Sequence, residues 1–70
     1  MDSSTQHLLE DSYMETVEEA LGAGHDQDMA HQEGGTAAAM MLASMEGMED
    51  GIARAAVDSL SFHPSMLNDT

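Results

Sequence analysis

Apolar residues between positions 36 and 62 recur at steps that alternate four and three, and this spacing is the strongest constraint that the sequence places on the fold. Such steps bring side chains onto one side of an α-helix, whereas a β-strand requires a period of two. The sequence therefore predicts a helix over residues 36–62 that packs one side against another helix. The side chains predicted to form this helix seam are Met41, Met45, Met48, Ile52 and Phe62.

A second row, made of small residues, runs along the same predicted helix at steps of four. Small side chains let a neighbouring helix approach closely, but each glycine costs about 1 kcal/mol of helix stability relative to alanine. The two glycines of the row therefore either permit close packing or break the segment into two shorter helices, and we favour close packing. The members of this small-residue stripe are Ala39, Ala43, Gly47, Gly51 and Ala55.

The rest of the chain predicts one further helix, a connection and a tail. Apolar residues at steps of four predict an amphipathic helix over about residues 5–21. Residues 22–35 have glycines at both ends and are mostly polar, so we expect a linker with room for a short helix after Asp26. Residues 63–70 form a tail whose apolar side chains can fold back onto the helices.

The expected fold class is thus all-α, a helical hairpin of two main helices with room for a short middle helix. Residues 1–70 suffice for one small domain, and short chains bury too little surface to be stable without reinforcement. The sequence has no cysteine and therefore no disulfide. We expect the hairpin to be completed by self-association or by a partner protein.

Charge narrows the choice of partner. Fourteen acidic residues against one arginine give a net charge of −13, which repels nucleic acids and anionic membrane surfaces. The most apolar run, residues 37–45, is too short to span a bilayer. We therefore expect a soluble protein of the cytoplasm, or of the host cytoplasm or virion if it is viral, that binds a protein with a basic surface. The lone Arg54 stands four residues from both Asp50 and Asp58 and can pair with either.

Acidic residues at helical spacing suggest a more specific role. Carboxylates four residues apart on a helix are separated by about 6 Å along its axis, which is similar to the spacing of phosphates along a nucleic acid. A DNA mimic that blocks a nucleic-acid-binding enzyme is one interpretation, and a solvated helix face is the simpler one. The residues predicted to form this acidic surface are Asp11, Glu15, Glu18, Glu19, Glu46, Glu49 and Asp50.

Two other groups of residues are candidate sites. Metal ligands occur close together in the linker, but their spacing matches no metal motif, so we expect a polar hinge and neither a metal nor another cofactor. These ligands are His25, Asp26, Asp28, His31 and Glu33. Four methionines, Met40, Met41, Met45 and Met48, form either an adaptable binding surface or ordinary core.

The sequence carries no motif of catalysis: it has no nucleophile elbow, phosphate-binding loop or cofactor fingerprint. The function we expect is therefore a non-enzymatic protein-binding module. By analogy with short acidic chains of phages and mobile elements, we favour an accessory or inhibitor protein. The alternative is a structural subunit of a virion, shell or scaffold that assembles through the 36–62 helix, and the third hypothesis is the DNA mimic.

Overall fold

The computed structural model describes residues 2–64 and shows three α-helices and no β-strand among them. Helix α1 covers Ser3–Gly22, α2 covers Gln27–Glu46 and α3 covers Asp50–Ser59. Helices α1 and α2 pack together as a helical hairpin, and α3 packs against α2. The all-α prediction is confirmed, and α2 is the central helix. Most of the predicted tail lies outside the described residues.

Helix α1 forms where the amphipathic pattern predicts it and begins slightly earlier. The Asp2 carboxylate accepts a hydrogen bond of 2.8 Å from the backbone N–H of Thr5, so it caps the first turn. The predicted apolar stripe faces the core, where Leu9, Tyr13 and Val17 are buried. This stripe is the side of α1 that packs on α2.

The prediction of a linker over residues 22–35 is wrong, because most of that segment belongs to α2. The Asp26 carboxylate starts the helix by accepting a hydrogen bond of 2.8 Å from the N–H of Met29. Helix α1 crosses α2 closely at Gly34, where a larger residue would not fit. A Cβ at Gly34 would lie 2.7 Å from Val17 Cγ2 and 2.8 Å from Tyr13 Cδ2. Close packing against α1 therefore offsets the low helix propensity of this glycine.

The prediction of one continuous helix over residues 36–62 is also wrong. Helix α2 ends at Glu46, and Gly47 adopts the left-handed conformation, with φ 66° and ψ 34°. Its N–H donates to the carbonyl of Ala43, which is a common way to end a helix at glycine. No atom lies within 4 Å of a Cβ built at Gly47 or Gly51, so neither glycine serves close packing within the chain. Of the two arrangements that the sequence allows, the break into two helices is the observed one, and the favoured close packing at these glycines is not.

The core lies where the three helices meet. Its largest fully buried side chains are Tyr13, Leu9, Leu42 and Val17. After α3, Ser61 adopts a positive φ of 59° and the next residue, Phe62, packs on Tyr13 with a ring-centroid distance of 5.3 Å. The segment after α3 thus closes the core against α1.

The cap of α2 gives a first testable prediction. Replacing Asp26 with alanine is expected to lower the free energy of unfolding by about 1 kcal/mol, because it removes the side-chain acceptor for the Met29 N–H. Asp26→Asn is the matched control, since asparagine loses the same charge but still caps. Urea denaturation followed by far-UV circular dichroism measures both. Equal losses in the two variants would show that charge, and not the cap, is responsible.

Candidate functional site

An open groove runs between α2 and α3, with a volume of about 710 Å³. Small residues from both helices line it, and the side chain of Met40, which is 64% exposed, stands at its edge. We call this the α2–α3 groove. Its lining residues are Thr36, Ala39, Met40, Ala43, Ser44, Asp50, Gly51 and Arg54.

The small-residue stripe is only partly brought together. Ala39 and Ala43 from α2 and Gly51 from α3 line the groove. Gly47 ends α2, and Ala55 is exposed on α3. The stripe is therefore assembled from two helices instead of lying along one.

The predicted helix seam does not form one face, because the turn at Gly47 interrupts its spacing. Met41 and Met48 are partly buried against the core, and Phe62 is buried within it. Met45 is 46% exposed and Ile52 is 58% exposed. The seam is thus divided between core and surface.

Arg54 makes three side-chain hydrogen bonds at the side of α2. Its Nε donates to Asp58 at 3.0 Å, while its two terminal nitrogens donate to Thr36 at 3.2 Å and to Gln32 at 3.0 Å. Of the two acids predicted as partners, the arginine therefore pairs with Asp58. Gly35 makes room for this arrangement, because a Cβ there would lie 2.8 Å from the guanidinium carbon.

A second concave site, which we call the polar cleft, lies on the other side of Arg54. It has a volume of about 450 Å³ and is bounded by all three helices and the turn after α3. Sequence reasoning missed this site, although the only arginine in so acidic a chain was a signal. Its lining residues are Tyr13, His31, Gln32, Gly35, Arg54, Val57, Asp58, Ser61, Phe62 and His63.

A tyrosine–histidine pair forms one wall of the polar cleft. The Tyr13 hydroxyl and Nδ1 of His31 are hydrogen-bonded at 2.7 Å, and the hydroxyl donates when Nδ1 carries no hydrogen. Burial raises the pKa of the Tyr13 phenol above its usual value of 10.0, against an opposing effect of the Arg54 charge. The phenol therefore keeps its proton at neutral pH. The ring of His63 lies 6.3 Å from that of His31, measured between centroids.

The carboxylates predicted to form an acidic surface are all exposed. Those on α1 point away from the buried stripe that packs on α2. Both a solvated helix face and an acidic binding surface require this exposure. The positions are Asp11, Glu15, Glu18 and Glu19 on α1, Glu46 at the end of α2, and Glu49 and Asp50 at the start of α3.

The five metal-ligand candidates do not converge on one site in the structure. His25 and Glu33 pair at 2.9 Å, Asp26 caps α2 and His31 bonds to Tyr13, while Asp28 is exposed in the first turn of α2. Within residues 2–64, no group of three or more acidic, histidine or cysteine side chains could hold a metal ion.

None of the helices in the described part of the chain is both long enough and apolar enough to cross a membrane. Comparison of the chain with protein-family models, with curated proteins and with solved structures gave no match. The proposal for function therefore rests on the geometry of the α2–α3 groove and on charge.

Proposed function

We propose that this protein is a non-enzymatic protein-binding module whose α2–α3 groove receives an amphipathic, basic helix of a partner protein. The observation that carries the proposal is the 64% exposure of Met40 beside a groove lined by small residues, in a chain of net charge −13. Moving a methionine side chain from water into an interface contributes about 1.5 to 3 kcal/mol. Contiguous exposed apolar surface, as distinct from a single exposed side chain, is typical of interaction sites, and here Met40 adjoins Ala39 and Ala43 in one groove.

The shape of the groove favours a helix as the occupant. Two helices form its walls, and Ala39, Ala43 and Gly51 leave space for a third helix to approach closely. Helix-in-groove recognition uses apolar side chains spaced three and four residues apart, which the groove can receive along its length. The flexible thioether of Met40 can adjust to the shape of such side chains.

Charge favours a basic partner over a second copy of the chain. Asp50 lines the groove, and Glu46 and Glu49 lie exposed at the adjoining helix ends. Lysine or arginine on the polar side of an incoming helix would meet this field, which also accelerates association. A second copy would bring another charge of −13 and would be repelled. A basic helix would supply the apolar burial that a chain of this length lacks, so partner binding is the form of completion we propose.

The same features suit an accessory or inhibitor protein that acts in the cytoplasm on a basic surface of its target. We extend the proposal to that role, including a phage or mobile-element source, by analogy with other short acidic chains. The experiment below tests binding of a basic helix at the groove.

The test uses a synthetic amphipathic peptide of about 16 leucine and lysine residues, long enough for a helix of about 24 Å. Binding is measured by fluorescence anisotropy of the labelled peptide. Met40→Asp is expected to weaken binding about tenfold, which corresponds to about 1.4 kcal/mol, because it places a charge where an apolar contact forms. Met29→Asp is the matched control: Met29 is also on α2 and 51% exposed, but it does not line the groove.

The proposal requires the control variant to bind like the unaltered protein. Equal weakening by both substitutions would remove the groove from the explanation. Equal binding of a scrambled peptide of the same composition would reduce the interaction to charge alone. Sedimentation provides a further check. If the unaltered protein is a dimer and Met40→Asp dissociates it, the groove binds a second copy of the chain, which contradicts the proposed class of partner.

A further inference from the structure

The polar cleft shares Arg54 with the α2–α3 groove but none of the other lining residues, and it has the features of a small-molecule site. Its volume of about 450 Å³ falls within the range of ligand pockets in proteins. Val57 and Phe62 line it and are buried in the same core cluster as Tyr13, so part of the cleft lining is apolar. The opposite part is polar and is built around Arg54.

Arg54 is held in place before any ligand arrives. Its hydrogen bonds to Gln32, Thr36 and Asp58 use three of the five N–H groups of a guanidinium, one on each nitrogen. One N–H on each terminal nitrogen is therefore left for a ligand. N–H groups on neighbouring guanidinium nitrogens can bond both oxygens of one carboxylate, and a fixed side chain loses little entropy on binding.

The backbone at the edge of the cleft is unusual. Ser61 is the one residue other than glycine with a positive φ among the described residues, and it lines the cleft. This conformation costs a non-glycine residue about 1 to 2 kcal/mol. It lies at the turn that brings Phe62 to the cleft, and both residues line it. Strained backbone of this kind occurs often at ligand sites.

We propose that the polar cleft binds a small organic acid, with its carboxylate on the Arg54 guanidinium and a flat apolar body toward Tyr13 and Phe62. Asp58 and the overall charge of −13 oppose any ligand with several negative charges. The ligand is therefore a monocarboxylate with an aromatic or similarly flat body. This site is additional to the proposed binding of a partner helix and does not depend on it.

Benzoate is the probe, and nuclear magnetic resonance titration of the ¹⁵N-labelled full chain is the measurement. We expect saturable shifts at the signals of Arg54, Ser61 and Phe62, with a Kd on the order of 1 mM for a ligand of this size. Benzamide, which has the same shape without the charge, is expected to bind about tenfold more weakly. Arg54→Lys keeps the charge but loses the paired N–H groups, and it should also weaken benzoate binding about tenfold.

The spectra themselves show whether each variant is folded. Met40→Asp is expected to bind benzoate as the unaltered protein does, which separates this site from the groove. Equal affinity for benzoate and benzamide, or unchanged affinity in Arg54→Lys, would overturn the proposal. If benzylamine bound more tightly than benzoate, the cleft would be a cation site built on Asp58. Absence of saturable shifts with benzoate would likewise overturn the proposed site.

Discussion

Replacing Phe62 with alanine is expected to lower the free energy of unfolding by about 3 kcal/mol. The Phe62 side chain is 7% exposed, and its ring packs on Tyr13 with centroids 5.3 Å apart. Removing the ring leaves a cavity between α1 and the turn after α3 and also removes the aromatic contact. A single core in a chain this short contributes about 3 to 5 kcal/mol of stability, so we expect a large unfolded fraction.

Ile52→Ala is the matched control for Phe62→Ala, because both residues belong to the predicted helix seam. Ile52 is 58% exposed, so its truncation is expected to change the free energy of unfolding by less than about 0.5 kcal/mol. Urea denaturation followed by far-UV circular dichroism measures both variants. Small effects in both would show that Phe62 does not close the core. Large effects in both would show that Ile52 is buried in solution, as an oligomer through the seam requires.

The adjacent glycines of α2 are expected to respond differently to alanine. Gly34→Ala should lower the free energy of unfolding by about 1 to 2 kcal/mol, because the added methyl group collides with the buried side chains of Val17 and Tyr13. Gly35→Ala should change it by less than about 0.5 kcal/mol, because the gain in helix propensity is offset by displacement of the Arg54 guanidinium, which lies 2.8 Å from the added Cβ and bonds to Gln32 and Thr36. The exposed hydrogen bonds of Arg54 can be replaced by bonds to water, whereas the buried Tyr13 ring has no room to move.

Thermal unfolding of the two glycine variants gives the comparison directly. The gain in helix propensity is similar at both positions, so the difference between the variants compares the packing of α1 on α2 with the hydrogen bonding of Arg54. A second readout is the Nε–H resonance of Arg54, which should shift in Gly35→Ala. If the two variants were equally stable, the close crossing at Gly34 would be refuted.

Local pattern was sufficient to predict an all-α fold and the helix that became α1. Leu9, Tyr13 and Val17 repeat at steps of four, and this repeat directly determines which side of α1 is buried. The first half of α2 could not be predicted in the same way. By local helix propensity, Gly34 and Gly35 indicate that a helix ends there. They lie within α2 because side chains of α1 and α3 pack where a Cβ would be.

The longer predicted helix failed for a different reason. The spacing of four and three continues across Gly47, but one left-handed residue is enough to end a helix there. The small-residue stripe identified three of the residues that line the α2–α3 groove, although it placed them on a single helix. The polar cleft could not be predicted from the local sequence pattern, because Tyr13, His31 and Arg54 come from three different helices.

The contact between Tyr13 and Phe62 has a spectroscopic consequence. The sequence contains one tyrosine, one phenylalanine and no tryptophan, and the two rings lie together where the segment after α3 meets α1. Near-UV circular dichroism and intrinsic fluorescence therefore arise from this one location. The protein thus carries a natural optical reporter of tertiary packing, which can be followed separately from the helical signal of the backbone.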